Sequence, residues 1–516
     1  MKFLGNSALS ALKSLRNSGN PPCPFSYFYT LSHVVLSLKT NLGFQIWTKA
    51  AEHHCMVWGP STGHRMWTAI RRCFPRAMLN PRGFRALRQL SGGGQASLEI
   101  PVCPSSRGRC YQHTLAAPLP VPPQPMCTPS LGIKRAMYLE RERQLEVTWE
   151  DGSSSRYPLI WLRDNCQCAQ CMLQSASARS LPLSHLDMDT GLERVLITEP
   201  SKVSLVWPDQ HISEFHASWL KKRCFSSRAR QEMQDELFLN QRVYWGSELQ
   251  LPTTSFQEVL HDDKTALAWL ATLRRTGIVY LKGASLEQGQ VAKLSQRIGY
   301  LRLTFYGHTW QVQDKPTANN VAYTSGDLSL HTDYPALHHP PGVQFLHCLS
   351  QAQQGGDNEV VDGFHVAYQL RQQNPEAFRI LSSLRVDFTD TGSDYCDFAV
   401  QSKHRIIDVD SEGQVVRINY NNATRDSVLD LPLEQVQPFY SSLRAYVDLM
   451  TRPENVVTYR MEPGDIITFD NWRLLHGRRT YTSDPVRPRH LEGAYLDWDE
   501  VMSRLRLLRR AVYGGC

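Results

Sequence analysis

Apolar and polar positions alternate strictly along Leu145-Glu146-Val147-Thr148-Trp149, Asp151-Gly152 supplies a turn, and Tyr157 to Leu162 reads as extended again. Residues 137 to 163 therefore predict a hairpin. Val203 to Trp207 predicts another short strand, closed by Pro208-Asp209. From Phe256 the pattern changes. Lys264 to Arg274 carries Leu267, Leu270 and Leu273 at helical spacing, Thr276 to Leu281 reads as a buried strand, and Gln288 to Ile298 as a second helix. Strands rich in Tyr, Val, Phe and Thr follow, with turns at Gly355-Gly356 and Asp362-Gly363 and amphipathic helices over Val366 to Gln372 and Leu433 to Met450. The expected architecture is mainly β with flanking helices: a double-stranded β-helix, or jelly-roll, preceded by a small β domain.

Ahead of the hairpin the pattern is lost. The expected organisation is a basic, weakly ordered extension or targeting segment over residues 1–135, a small metal-binding domain over 136–235, and the jelly-roll over 236–516. Residues 1–139 hold 16 Lys or Arg against Glu52 and Glu99, a balance of 16 − 2 = +14, whereas the whole chain carries +7, so the remainder carries 7 − 14 = −7. The basic character is thus N-terminal, and the folded part shows no basic stripe with interleaved aromatics, which argues against a nucleic-acid partner. Leu4, Leu9, Leu12 and Leu15 at helical spacings, with Lys2, Lys13, Arg16 and no acid in the first twenty residues, resemble a mitochondrial presequence; an upstream extension without a targeting role is the other reading. Phe25 to Leu38 is fairly apolar but interrupted and falls short of the roughly 20 residues that a span needs, so no membrane segment is expected.

The chain's candidate chemistry lies in two clusters. His331-Thr332-Asp333 and the distant His476 offer two imidazoles and a carboxylate, the set that holds a non-haem Fe(II) while leaving positions open for a bidentate co-substrate and O₂. In an extended His-x-Asp segment residues i and i+2 share a face, and Gly464 to Arg478 reads as the strand, with its exit, that brings the third ligand. With 18 histidines in the chain, a chance triplet is the competing explanation. Arg489 can present two parallel donors to the far carboxylate of a dicarboxylate; alternatively Arg478, Arg479 and Arg489 form a solvated basic face. The second cluster is Cys166, Cys168 and Cys171, for which His211 is the best fourth ligand. Three thiolates and an imidazole make a closed structural zinc site, and free or redox-active cysteines are the alternative. The odd total of 13 cysteines fits a reducing compartment better than a disulfide framework. Tyr306, Trp310, Tyr323 and Tyr495 could form an aromatic box for a quaternary ammonium, or could be ordinary core.

Trp161 to Cys166, Phe305 to Trp310, Leu330 to Pro335 and Asp470 to Arg478 closely resemble the gamma-butyrobetaine dioxygenases, 2-oxoglutarate-dependent Fe(II) oxygenases, and more distantly the trimethyllysine dioxygenases, over some 370 residues from about Glu140 to Arg510. The resemblance implies hydroxylation of gamma-butyrobetaine at C3 to L-carnitine, coupled to decarboxylation of 2-oxoglutarate to succinate and CO₂. It implies His331, Asp333 and His476 on iron, Arg489 with Asn320 on 2-oxoglutarate, and Tyr306, Trp310, Tyr323 and Tyr495 around the trimethylammonium. It also implies Asn421 at the substrate carboxylate, Cys166, Cys168, Cys171 and His211 on zinc, ascorbate as reductant, and a homodimer. The cytoplasm is the expected compartment, with the mitochondrion as the alternative if the extension is a presequence. Trimethyllysine hydroxylation and non-catalytic trimethylammonium binding are the rival functions.

Overall fold

The computed structural model describes residues 119–122 and 132–514, so the presequence-like leucines, the apolar stretch from Phe25 and most of the proline-rich segment lie outside the described residues. The predicted hairpin is a three-stranded antiparallel meander of Ile133–Leu139 (β1), Gln144–Trp149 (β2) and Ser154–Pro158 (β3). Leu145, Val147 and Trp149 point inward, as the alternation requires. The extended reading ends at Pro158, and Leu159–Asp164 (α1) is a helix that buries Leu159 and Leu162. A second meander follows, built of Arg194–Glu199 (β4), Lys202–Val206 (β5) and Ile212–His216 (β6). Val203, Leu205 and Phe215 join Trp149 and Tyr157 in one small core.

Most of the remaining strands belong to two larger sheets or to a separate hairpin. They are Thr253–Ser255 (β7), Ile278–Lys282 (β8), Thr309–Val312 (β9), Leu328–His331 (β10), Val343–Ser350 (β11), Asn358–Asp362 (β12), Val386–Ser393 (β13), Asp397–His404 (β14), Val457–Tyr459 (β15), Ile466–Asp470 (β16), Leu474–Arg478 (β17) and His490–Leu496 (β18). One sheet has the order β9-β18-β11-β16-β8-β7, antiparallel except for β8 with β7; the other has the order β10-β17-β12-β15 and is antiparallel throughout. β13 and β14 form a separate hairpin.

This corrects the expected jelly-roll. Among the described residues neither sheet closes on itself, and no ladder joins an edge of one to an edge of the other. The physical reason lies in the edges. β7 and β15 have three residues each, β9 and β10 have four, and β10 breaks register between Leu328 and His331. Such short ends supply too few hydrogen bonds to bridge two sheets. The result is a mixed α/β fold with two open sheets, whose facing sides share a core of Ile278, Tyr280, Ile467, Phe469, Val360 and Leu474.

β8 shows why its sequence reads as continuously apolar. Ile278 and Tyr280 enter the core between the sheets, while Val279 and Leu281 face the layer built with Asp263–Thr276 (α2) and Trp498–Tyr513 (α6). Gly363–Gln373 (α3), Pro375–Ser383 (α4) and Leu433–Met450 (α5) cover the four-stranded sheet and β13. Among the described residues no helix is long and apolar enough to cross a membrane.

Candidate active site and second metal cluster

Gly464 to Arg478, read from sequence as one strand and its exit, is two strands in different sheets. β16 ends at Asp470, the chain turns through Asn471-Trp472-Arg473, and β17 enters the other sheet. A fully buried ion pair fixes that turn. Arg473 Nε donates to Asp362 Oδ1 at 3.0 Å and Nη2 to Oδ2 at 2.6 Å. Asp362 also accepts the backbone N–H groups of Phe364 and His365, capping α3. One carboxylate therefore ties the sheet crossing to a helix.

Beyond the turn, β17 sets His476 directly opposite His331 of β10, with ring centroids 4.3 Å apart. β10 ends at His331, so Asp333 sits in the following loop and is placed by contacts rather than by strand alternation. Its backbone N–H donates to Asn471 Oδ1 at 2.8 Å, and Asn471 Nδ2 returns to the Asp333 and Pro341 carbonyls at 3.0 and 2.9 Å. Tyr334, next in the loop, has φ +64°, a conformation that a non-glycine residue adopts only under such restraint. Asn471 was not singled out from sequence, although it stands in the matched stretch two residues before Arg473.

The three side chains converge. Asp333 Oδ1 lies 3.1 Å from His331 Nε2 and 3.8 Å from His476 Nε2, and the three ligand atoms fall within 4.8 Å of one another. His331 Nδ1 lies 2.8 Å from the Ser329 carbonyl, which holds the proton there and leaves Nε2 as a lone pair. Burial pushes the His476 imidazole down to about 3, so it stays neutral and able to ligate. Despite its burial, Asp333 is held below the usual carboxylate range, and the Tyr495 hydroxyl donates to its Oδ2 at 2.5 Å. Donors, protonation and convergence fit a divalent metal with open positions.

A cavity of about 370 Å³ opens beside this cluster, lined by His331 and Asp333 together with Tyr306, Trp310, Tyr323 and Tyr495. Trp310 and Tyr495 stack at 4.1 Å, and Tyr306 meets Tyr323 edge-on at 6.2 Å. A fifth ring, Tyr334, stands 5.7 Å from Tyr306 and 5.8 Å from Tyr495; it is adjacent to Asp333 in sequence yet was missed there. Asn320 and Asn421 line the same cavity. Asn320 Nδ2 donates to the Tyr306 hydroxyl at 3.1 Å, and Asn421 Oδ1 accepts the Ala423 N–H at 3.0 Å.

Arg489 does not line this cavity. It is buried, 4% exposed, with only neutral partners: Nε donates to Gln351 Oε1 at 3.2 Å and Nη2 to Asn358 Oδ1 at 3.4 Å. Burial lowers its guanidinium to about 10, and no carboxylate is among the groups acting on it. Arg478 is equally buried, but its guanidinium is consumed by the Ala322, Thr324 and Gly326 carbonyls. Only Arg479 is exposed, paired with Glu359, so these arginines do not form a solvated basic face.

The second cluster has a different shape. Cys166 follows α1, Cys168 and Cys171 lie in the next turn, and His211 comes from the loop between β5 and β6. His211 Nε2 lies 3.3, 3.6 and 3.6 Å from the sulfurs of Cys166, Cys168 and Cys171. A tetrahedral zinc with its usual Zn–S and Zn–N bonds has S···N edges of about 3.5 Å. The four residues fit that metal without rearrangement.

Residues 239–495 match the model of the taurine catabolism dioxygenase TauD, TfdA family, and residues 137–221 match that of the gamma-butyrobetaine hydroxylase-like N-terminal region. The chain is 60% identical to the gamma-butyrobetaine dioxygenase of Homo sapiens, over 74% of this chain and 99% of that one. The chain belongs to the gamma-butyrobetaine dioxygenase family. It is therefore an enzyme, a dioxygenase. It is also 33% identical to the gamma-butyrobetaine dioxygenase of Pseudomonas sp. (strain AK-1), over 71% of this chain and 94% of that one. To the mitochondrial trimethyllysine dioxygenase of Mus musculus it is 29% identical, over 72% and 86%. Among solved structures it is similar to a taurine dioxygenase from Burkholderia xenovorans at 18% identity and a TM-score of 0.37, covering 50% of this chain and 90% of that one, too loose a likeness to bear on the site.

Proposed function

We propose that this dioxygenase hydroxylates gamma-butyrobetaine at C3 to L-carnitine, coupled to conversion of 2-oxoglutarate and O₂ to succinate and CO₂. The observation that carries the reading is a cavity in which an aromatic wall faces His331 and Asp333. A cation held by the rings then rests beside the metal ligands, and its neighbouring carbons are presented by position rather than by intrinsic reactivity.

In this reading His331, Asp333 and His476 hold Fe(II), which with 2-oxoglutarate and O₂ supplies the oxidant, one oxygen atom ending in succinate and the other in the hydroxylated carbon. Arg489, buried and without an acidic partner, receives the far carboxylate of 2-oxoglutarate as a charge-assisted fork. Tyr306, Trp310, Tyr323, Tyr334 and Tyr495 enclose the trimethylammonium and exclude water from it. Asn421 offers its amide N–H₂ to the substrate carboxylate. Asn320, expected beside 2-oxoglutarate, sets the Tyr306 hydroxyl in this geometry, and a contact with the co-substrate remains its proposed second role.

We further propose Zn(II) on Cys166, Cys168, Cys171 and His211, ascorbate as the reductant that keeps iron ferrous, a homodimer, and a cytoplasmic location, with a mitochondrial one if the basic extension acts as a presequence. The division into an extension to residue 135, a zinc domain to 235 and a catalytic domain beyond it is part of the same proposal. The test is turnover of protein reconstituted with Fe(II), 2-oxoglutarate and ascorbate, given gamma-butyrobetaine or trimethyllysine in parallel. Carnitine formed in step with succinate is the expected result. Preferred turnover of trimethyllysine, or tight cation binding with no succinate, would overturn the assignment.

A further inference from the structure

β13 carries its inward positions at Val386, Phe388 and Asp390. The first two are fully buried core, and period-2 alternation puts the third on their face, where an apolar residue is expected. Asp390 instead opens into the cavity beside the rings. Its Oδ2 accepts from the Tyr306 hydroxyl at a long 3.5 Å, and that hydroxyl in turn accepts from Asn320. The charged and titratable groups around Asp390 and the rings are Asp333, Asp394, Tyr306, Tyr323, Tyr334 and one cation, Lys315. Lys315 Nζ stands 4.0 Å from the Tyr323 ring centroid and pairs with Asp394 at 3.5 Å, so its charge is matched there, and Asp390 has no ion pair of its own among the described residues. Burial and the nearby Asp333 carboxylate push Asp390 up to about 6. A partly buried carboxylate without a counter-charge is costly, and it is tolerated where a ligand brings the missing charge.

We propose that Asp390 is the counter-charge for the substrate's quaternary ammonium and so determines specificity for a cation over a neutral group of the same shape. The proposal rests on the cavity taking a trimethylammonium end, as argued above. A quaternary nitrogen has no N–H to donate, so recognition must be Coulombic and aromatic, and a carboxylate behind the Tyr306 ring edge adds to the pull of the rings. Asp390 touches neither the metal ligands nor the carbon that reacts. It is a specificity residue, and its effect belongs in binding.

The test uses calorimetry on protein loaded anaerobically with Fe(II) and 2-oxoglutarate, comparing gamma-butyrobetaine, its all-carbon isostere 5,5-dimethylhexanoate, and tetramethylammonium. Asp390→Asn keeps the shape and removes the charge. It should weaken both cations about tenfold and the isostere less than twofold, as loss of one charge contact in a partly screened site predicts; Asp390→Glu should recover part of the loss. Equal weakening of cation and isostere would show a merely structural role and overturn the proposal, as would no change in either. Tetramethylammonium separates this test from the functional one. A cation-selective loss in the variant, with no carnitine made by the wild type, would sink the proposed reaction and leave Asp390 as the counter-charge.

Discussion

The two metal-ligand clusters use overlapping chemistry to opposite ends. Cys166, Cys168, Cys171 and His211 surround one point with four protein donors, so a bound ion has nothing left to offer a substrate. His331, Asp333 and His476 supply three donors on one side and a 370 Å³ cavity on the other. The positioning elements differ as well. The first cluster is held by turns in a small module whose core is a handful of residues around Trp149, which a zinc bound there would staple. The second hangs from two paired strands and a loop pinned by Asn471, in a scaffold with extensive cores of its own. The ligand count separates fold from chemistry.

The comparison breaks most sharply on single ligand removals. His331→Ala should lower coupled turnover by at least ~10³-fold, because the metal site loses a ligand that no other residue replaces, while the melting temperature stays close to wild type. Substantial turnover would remove His331 from the iron set. Cys171→Ser should do the reverse, releasing zinc and costing the N-terminal module at least ~3 kcal/mol, since structural zinc binding is itself folding free energy. Metal content by mass spectrometry and a thermal melt would decide. A variant that keeps its zinc and its melt would return the cysteines to the free or redox-active reading.

How much of this was legible in sequence follows from how local each signal is. His331 with Asp333, and the Cys166-Cys168-Cys171 group, stand out because ligand residue types at short spacings carry their chemistry with them, whereas His476 and His211 are distant in sequence and are brought in by strand pairing and by a loop. α5 runs from Leu433 to Met450, the bounds its amphipathic pattern predicts, because helix periodicity is a local property. Closure of the sheets was misjudged because strand composition does not reveal which edges pair; that depends on the three- and four-residue lengths of β7, β9, β10 and β15. The turn at Asn471-Trp472-Arg473 was read through for a similar reason. Its direction depends on Asp362, 111 residues earlier. Asp390 was invisible because a lone aspartate in an alternating stretch reads as solvent-facing until its neighbours Val386 and Phe388 are seen to be core.

A smaller effect sharpens the contrast between the aromatic wall and the metal ligands, which Tyr495 joins. Its ring stacks on Trp310 while its hydroxyl donates to Asp333 Oδ2. Tyr495→Phe keeps the stack and removes only the hydrogen bond, so apparent Fe(II) affinity should fall about tenfold, as for loss of a partner that orients a metal-bound carboxylate. The affinity of tetramethylammonium should hardly change. A larger loss of cation than of iron would mean that the hydroxyl serves the cage and not the metal.

The smallest expected effect is a pH dependence confined to the substrate. Asp390 is raised to about 6, above the ordinary value of a carboxylate in an unfolded chain. The sign follows from linkage: a carboxyl group whose folded value is raised costs stability when ionised, so acidification through 6 relieves the empty protein at this position. Cation binding runs the other way, since it needs the ionised form, which is present above 6 and lost below it. The KM for gamma-butyrobetaine should therefore be flat from pH 8 to 7 and rise severalfold as pH falls toward 5.5, with kcat following a different profile. In Asp390→Asn the rise in KM should vanish at an already elevated plateau. An unchanged acid limb in that variant would assign the titration to another group and reduce Asp390 to a wall residue.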